Sequence, residues 1–517
     1  MEISPVLLPI AILVTAAVLI PIVDLLGRAA RFGKAKDLFS TAAFAFAFYA
    51  IFKLYEETST AKAHVVKYSL EPYGPPFGVT FVVDYLSVFM AFAFCGLGFL
   101  VAVYSLRYMQ SDTGLDKYYA LLLTLVAGMI GVAFAGDFFN LFVFWEAMCL
   151  SSYTLVAFRK HRWEPVEAGF KYLVMSTFGS LLVLYAMSFL YGLAGTLNFA
   201  YLAERIGAAR VNPVVSYFTI GAIILGFGVT ASMVPLHTWL PDAHPAAPSG
   251  ISAMLSGVVI KAGVYAMYRS LFTLFSPIFY DFGTVLIIFG VLTMTVANFV
   301  ALLQRDIKRL LAYSSIVNIG YILTGAGIGA YVLSHYYSSK PALALSIAAL
   351  ALMGSFFHVL NHAIGKGLLF LCSGCFIHEG KTRDISELEG MGKKMAWTGI
   401  SFSIGLLALA GVPPLSGFWS KLFIILAGFS LPGDLFMRVT AIIVVLNSIF
   451  AAAYYLWLMQ RLMLKEPTPI AREAAEAPLA MVLPIVILAI ASVVIGIWPG
   501  TVISLAEKAA LALIGGG

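Results

Sequence analysis

The sequence predicts an all-α polytopic membrane protein of about 14 transmembrane helices, with two inverted five-helix repeats and with helices 7 and 12 broken. Three observations lead there: a composition poor in charge, a succession of long apolar runs, and two proline-bearing interruptions that echo each other. Of the 517 residues, 61% are hydrophobic and 11% charged, against roughly 25% charged in a typical soluble protein. A water-facing globule needs a charged skin and a disordered chain needs few apolar residues, so both are excluded. Crossing about 30 Å of hydrocarbon takes about 20 apolar residues in a helix. Such runs centre on 5–27, 37–55, 84–106, 118–136, 138–158, 166–192, 214–236, 250–275, 279–303, 308–330, 342–377, 398–428, 436–460 and 478–505. They are continuous, not alternating, which argues against an outer-membrane barrel.

The first run follows Glu2 and lacks a cleavage-site pattern, so it is expected to be retained. Loops after odd-numbered runs carry most of the basic residues, among them Arg28, Arg31, Lys34 and Lys36, then Arg159, Lys160 and Arg162, then Arg305, Lys308 and Arg309. By the positive-inside rule that side is cytoplasmic, with both termini outside a cell membrane. The net charge of +6 reflects this asymmetry. No loop forms the concentrated basic stripe that nucleic acid requires. Division follows the runs: 1–117 for helices 1–3, 118–276 for a first repeat, 277–465 for a second, and 466–517 for the last helix.

Charge inside the runs is more informative. Lys171, Lys261, Lys366 and Lys421 fall within apolar stretches, and Glu146 sits mid-run in Phe-Trp-Glu-Ala-Met. Ionisable groups at membrane depth are costly and mark ion pathways by default. His358, His362 and Lys366 are four residues apart and share a helical face. Lys171 is close enough to its helix start to snorkel. Two interruptions accompany these charges: Val234-Pro235-Leu236-His237-Thr238-Trp239, and Gly411-Val412-Pro413-Pro414-Leu415-Ser416-Gly417-Phe418-Trp419 just before Lys421. Proline frees a carbonyl that lipid cannot satisfy, so such breaks must face protein or water. Paired broken helices are the trace of inverted repeats in transporters.

Several motifs carry a family resemblance: Pro235-Leu236-His237-x-Trp239-Leu240-Pro241-Asp242-Ala243-His244 with Ala247-Pro248-Ser249 leading to Lys261, then Asp306-Ile307-Lys308-Arg309, His362-Ala363 with Lys366-Gly367, Gly417-Phe418-x-x-Lys421, and Trp145-Glu146. Over roughly residues 80–465 the chain resembles the antiporter-like subunits of complex I, Mrp-type sodium/proton antiporters and energy-converting hydrogenases. The stretch from His244 to Ser249 is closest to membrane-bound hydrogenase and sulfur-reductase subunits. About a dozen residues follow the last run, fewer than the long lateral helix of the largest family member needs.

The resemblance implies a mid-membrane chain of polar groups joined to each surface by half-channels. It makes Glu146 the fifth-helix acid, Lys261 the eighth-helix relay, His358, His362 and Lys366 the eleventh-helix connection, and Lys421 the exit residue. One position departs from the pattern. Where the family places a seventh-helix lysine opposite the glutamate, this chain has Thr230, and 226–234 contains no charge. Glu146 is then idle and protonated, paired with Lys171 or another subunit, or a ligand with Thr230 for Na⁺.

Other residues have plainer readings. Cys372 and Cys375 have CxxC spacing, but small residues in an apolar run explain them by close helix packing. Asp306, Lys308 and Arg309 either cap a helix or serve the path; Asp242 and His244 either tie down a loop or carry ions. No dinucleotide fingerprint, P-loop or four-cysteine cluster motif occurs, so no cofactor is expected in this chain. Fe–S clusters or other redox centres belong to partner subunits. The preferred expectation is an ion-translocating subunit for H⁺, Na⁺ or both, with other membrane subunits and a cytoplasmic redox arm as partners. The alternatives are a stand-alone cation/proton antiporter and a scaffold whose pumping is impaired at Thr230.

Overall fold

A computed structural model describes residues 4–70, 72–76, 78–208 and 212–515; Glu2 lies outside them. Two helices open the chain, α1 (Leu8–Ala29) and α2 (Ala35–Thr60). A short antiparallel ribbon follows, β1 (Val66–Ser69) against β2 (Thr80–Val83), with Val66 opposite Val83. This ribbon corrects the all-α expectation; it lies in a loop where hydropathy carries no periodic signal.

The bundle continues with α3 (Tyr85–Tyr108), α4 (Leu115–Phe134), α5 (Phe138–Val156), α6 (Trp163–Ala194), a short α7 (Phe199–Ala208) and α8 (Pro213–Thr230). After Thr230 the helix stops, and α9 (Leu240–Ala246) and α10 (Ser249–Met254) precede a wider π turn over Leu255–Val259 that runs into α11 (Ile260–Leu274). Then come α12 (Gly283–Ala301), α13 (Ile307–Tyr336) and α14 (Pro341–Gly380). At 40 residues, α14 is about 60 Å long, roughly twice the hydrocarbon thickness.

A turn, α15 (Met391–Lys394), leads to α16 (Ala396–Ala410) and α17 (Ser416–Phe429), then α18 (Leu435–Met459), a turn α19 (Pro469–Glu473), α20 (Leu479–Ile497) and α21 (Gly500–Ile514). The apolar run at 398–428 is therefore two helices of 15 and 14 residues. The last run ends at Ile497, and the residues beyond it fold into α21, which packs on α14 and α3. Pro499 and Gly500 divide a stretch that hydropathy alone reads as continuous.

Thirteen helices among the described residues are long and apolar enough to cross a membrane. Starts are fixed by side-chain caps: Asp84 accepts from the Ser87 N–H, Asp137 from Asn140, Asp306 from Lys308 and Arg309, and Asp434 from Met437. At one end of the bundle Arg383 pairs with Glu164 and Asp306, and Arg309 with Asp242. The basic loops after the fifth, ninth and eleventh runs thus meet on one face. Arg269, inside α11, is held on both nitrogens by Asp84 at 2.7 and 2.8 Å. The helices with most of their surface inside the bundle are α13 and the α10–α11 segment, and together with α9, α14 and α17 they carry the site.

Candidate functional site

Among the described residues four lysines are buried: Lys261, Lys308, Lys366 and Lys421. Each amine ends on a backbone carbonyl. Lys421 Nζ donates to Leu409 O at 2.8 Å and Ala410 O at 3.4 Å, the last carbonyls of α16, and to Ser448 Oγ at 3.1 Å. A helix C-terminus leaves its final carbonyls unpaired and carries partial negative charge, so an ammonium there satisfies both. The interruption that proline forces on the chain thereby becomes the cradle of the lysine.

Lys261 follows the π turn and donates to Ser256 O. Ser256 Oγ meets Ser315 Oγ on α13. Lys366 reaches α13 one turn away, donating to Leu311 O at 2.9 Å and to Ser314 Oγ. Lys308 donates to Ala247 O at 2.8 Å and Ser252 Oγ at 3.3 Å. No carboxylate pairs with any of the four among the described residues.

Between the lysines lie imidazoles. His358 is held from both sides, Nδ1 by Ser420 Oγ at 2.8 Å and Nε2 by Asn318 Oδ1 at 3.0 Å. Asn318 in turn donates to Ser314 O at 2.6 Å and to the Tyr455 hydroxyl at 3.2 Å. The His362 ring lies parallel to His358, with centroids 6.3 Å apart. Both His362 nitrogens are buried without a partner, and Lys261, Lys366, His358 and Lys421 are all within its electrostatic reach. His244 is likewise buried with two unpartnered nitrogens, its ring stacked on Phe370 at 4.4 Å. It faces the charges of Lys308, Lys366 and Lys261. Lys308 also lines a surface cavity of about 250 Å³ together with Tyr108, Arg159, Glu164, Lys381 and Arg383. Lys308, His244, Lys366, Lys261, His362, His358 and Lys421 thus form a set of buried amines and imidazoles on α9, α11, α13, α14 and α17.

The residues singled out in the sequence divide accordingly. Lys261, His358, His362, Lys366 and Lys421 come together. Lys171 does not: its side chain is 48% exposed and pairs with Glu167 at 2.9 Å and Asp242 at 3.1 Å near the basic face. An exposed amine eight residues into α6, beside two carboxylates, is a surface group and cannot serve as counter-ion to Glu146. Glu146 is half-buried, with Oε1 enclosed and unbonded. Thr230 is buried at the end of α8, and the buried Cys149 thiol is in the neighbourhood of Thr230, Ser176 and Glu146. Among the described residues no group of three His, Cys, Asp or Glu side chains could hold a metal ion.

Asp306 caps α13 through two backbone N–H groups, whereas its neighbours Lys308 and, across the bundle, His244 enter the buried set. The serines and Asn318 that link the row were not singled out in the sequence. Hydroxyls are common in apolar helices, and these meet their lysines and histidines across helices, as Ser314 does Lys366, Ser420 and Asn318 do His358 and Ser448 does Lys421, so no spacing in the sequence marks them.

The thirteen candidate spans among the described residues and the family matches that follow define an antiporter-like, multi-pass membrane protein. A family profile described as NADH:quinone oxidoreductase/Mrp antiporter, TM, matches residues 135–449, and one described as NADH-Ubiquinone oxidoreductase (complex I), chain 5 N-terminus, matches 74–119. The chain belongs to this NADH:quinone oxidoreductase/Mrp antiporter family. It is 33% identical over 463 residues to NADH-quinone oxidoreductase subunit N of Desulforudis audaxviator, covering 85% of this chain and 86% of the relative. To a Na⁺/H⁺ antiporter subunit of Alkalihalophilus pseudofirmus it is 31% identical over 357 residues, covering 68% of each. A chain of the solved membrane-bound sulfane sulfur reductase, an archaeal respiratory membrane complex, superposes with a TM-score of 0.84 at 30% identity, over 98% of this chain and 97% of that one.

Proposed function

We propose that this chain is an ion-translocating subunit of a redox-driven membrane complex, and that the ion it moves through the buried row is H⁺. The observation that carries this reading is the set of four enclosed lysines bound to neutral carbonyls and hydroxyls with no carboxylate partner. A buried ammonium without a counter-ion is costly, and its neutral amine is not, so the balance between the two forms answers to charges arriving nearby. Imidazoles between the amines extend the relay in both directions. Sodium at Glu146 and Thr230 is the lesser reading, because a hard cation needs several oxygens and the neighbourhood these two share includes a thiol.

The two interruptions, α8 to α9 and α16 to α17, are read as the broken helices of two inverted repeats spanning 118–276 and 277–465. The face where Arg159, Arg309 and Arg383 meet is assigned to the cytoplasm, with both termini outside. Other membrane subunits and a cytoplasmic redox arm would supply the driving reaction, along with any Fe–S clusters. The relatives named for NADH-quinone oxidoreduction and sulfur reduction support that assignment.

The test compares the assembled complex with the single chain in liposomes. Lys261→Ala and Lys421→Ala should each abolish the ion gradient formed by the working complex, and the isolated chain should exchange no cations. Gradients that survive both substitutions would reduce the chain to a scaffold, and cation/proton exchange by the chain alone would make it a self-sufficient antiporter.

A further inference from the structure

We propose that the cavity at the basic end of the bundle binds a phosphate group carrying about two negative charges, held by Lys308 from its floor and by Arg162 and Lys381 from its rim. The cavity, about 250 Å³, draws its walls from the start of α6, the end of α9, the start of α13 and the end of α14. Its charge does not balance. Arg159, Arg162, Lys308, Lys381 and Arg383 all line it, with Glu164 the only carboxylate among the lining residues. Two more carboxylates reach these cations from outside the cavity. Asp112 takes two nitrogens of Arg159, each at 2.9 Å, and Asp306 takes Arg383 at 3.0 Å. Glu164 is shared, 2.8 Å from Arg383 and 3.7 Å from Arg162. Five cations against three carboxylates leave two positive charges unanswered.

Lys308 and Lys381 have no carboxylate partner among the described residues. Lys381 donates to the His378 carbonyl, and the Lys308 amine to Ala247 O and Ser252 Oγ. Lys308 is 3% exposed and has Arg159 and Arg383 within its electrostatic reach, together with Asp306 and Glu164, both of which are already engaged by Arg383. A buried ammonium beside two guanidiniums is held against repulsion, and an anion entering the cavity relieves it. Phosphate suits the place better than a halide or a carboxylate. Its oxygens accept from several donors at once around a tetrahedron, and lysine and arginine side chains converging from separate walls supply that pattern. Two sources bring the group to this depth. Trp163 is 75% exposed between Arg162 and Glu164, which sets the rim among lipid headgroups, where tryptophan concentrates. A phospholipid headgroup enters from that side, and free phosphate enters from the water above. The site rests on the cavity and its charge, and not on which ion the buried row moves.

The test uses the purified full chain in nanodiscs of phosphatidylcholine. One arm adds phosphatidic acid and reads retained lipid by native mass spectrometry; the other omits it and measures binding of radiolabelled inorganic phosphate by dialysis. One phosphate group per chain is expected in at least one arm. Arg162→Gln combined with Lys381→Gln should weaken it about 25-fold, roughly fivefold for each basic side chain lost, while Lys381→Arg retains it. Lys393→Gln combined with Lys394→Gln removes the same charge from α15 and should leave binding unchanged. Thermal melting confirms that each variant is folded. Binding of lipid alone names the headgroup as the source, and binding of inorganic phosphate names the soluble ion. Binding in neither arm overturns the proposal, as does equal weakening by the two double variants, the mark of a diffuse basic surface.

Discussion

At the α16–α17 interruption the carbonyls of Leu409 and Ala410 receive the ammonium of Lys421, whereas at the α8–α9 interruption the Val229 carbonyl receives the indole N–H of Trp239 at 2.8 Å. Both breaks present carbonyls that the bilayer cannot satisfy, and both find a donor from nearby in sequence. The donors differ in kind. An indole N–H only fills a hydrogen bond, but an amine can also take up or release a proton. The first interruption thus gives its freed carbonyl to a donor that carries no charge, with Thr230 at its edge and His237 and His244, both with unbonded ring nitrogens, following it, and the first buried amine beyond it is Lys261. Glu146 is half-buried on α5 with Oε1 unbonded, and no lysine of the row bonds to it.

This contrast can be broken most sharply at His362, which links the two halves. Its nitrogens bond to nothing in the structure, so His362→Phe should fold normally while the ion gradient made by the complex falls at least about tenfold, the scale on which a positioned proton-transfer group acts. Dye quenching in liposomes reads the flux and thermal melting reads the fold; a fully active His362→Phe would separate the halves.

A smaller effect is expected from giving the first half what the second has. Thr230→Lys places an amine beside the end of α8, within the neighbourhood of Glu146. Coupling to H⁺ or Na⁺ should change several-fold, and unchanged coupling to both ions would show that Thr230 has no part in the input.

The smallest difference is one of packing. A Cβ on Gly417 would run into the Ala408 carbonyl, and one on Gly263 would lie 2.8 Å from the Ala231 nitrogen. Both glycines let a neighbouring helix close onto an interruption. Gly417→Ala and Gly263→Ala should each destabilise by about 1–3 kcal/mol, with the former larger, as read from detergent melting of the purified chain.

Much of this was legible in the sequence, and the failures have a common cause. Lys261, His358, His362, Lys366 and Lys421 stand out because charge or imidazole within an apolar run has no cheap place in lipid. Hydropathy does not say which side of a helix faces the bundle, however. Lys171 and Glu146 read as members of the row, yet Lys171 is half-exposed beside two carboxylates and Glu146 is half-buried on α5, where Phe139, Val143 and Leu150 are exposed. Lys308 and His244 were obscured in the opposite sense, since each sits beside loop charges that suggest a cap or an anchor. The ribbon at β1–β2 and helix α21 escaped because short elements near Pro and Gly leave little periodicity to read.

The central claim is that conduction belongs to lysines enclosed on backbone carbonyls and not to lysines at the surface. Its most direct measurement is the initial rate of proton uptake by liposomes containing the working complex, compared for Lys366→Met and Lys171→Met. The account predicts that the first rate falls to the leak level and the second stays within about twofold of the unmodified complex. Equal rates for the two variants, or loss only with Lys171→Met, would contradict it.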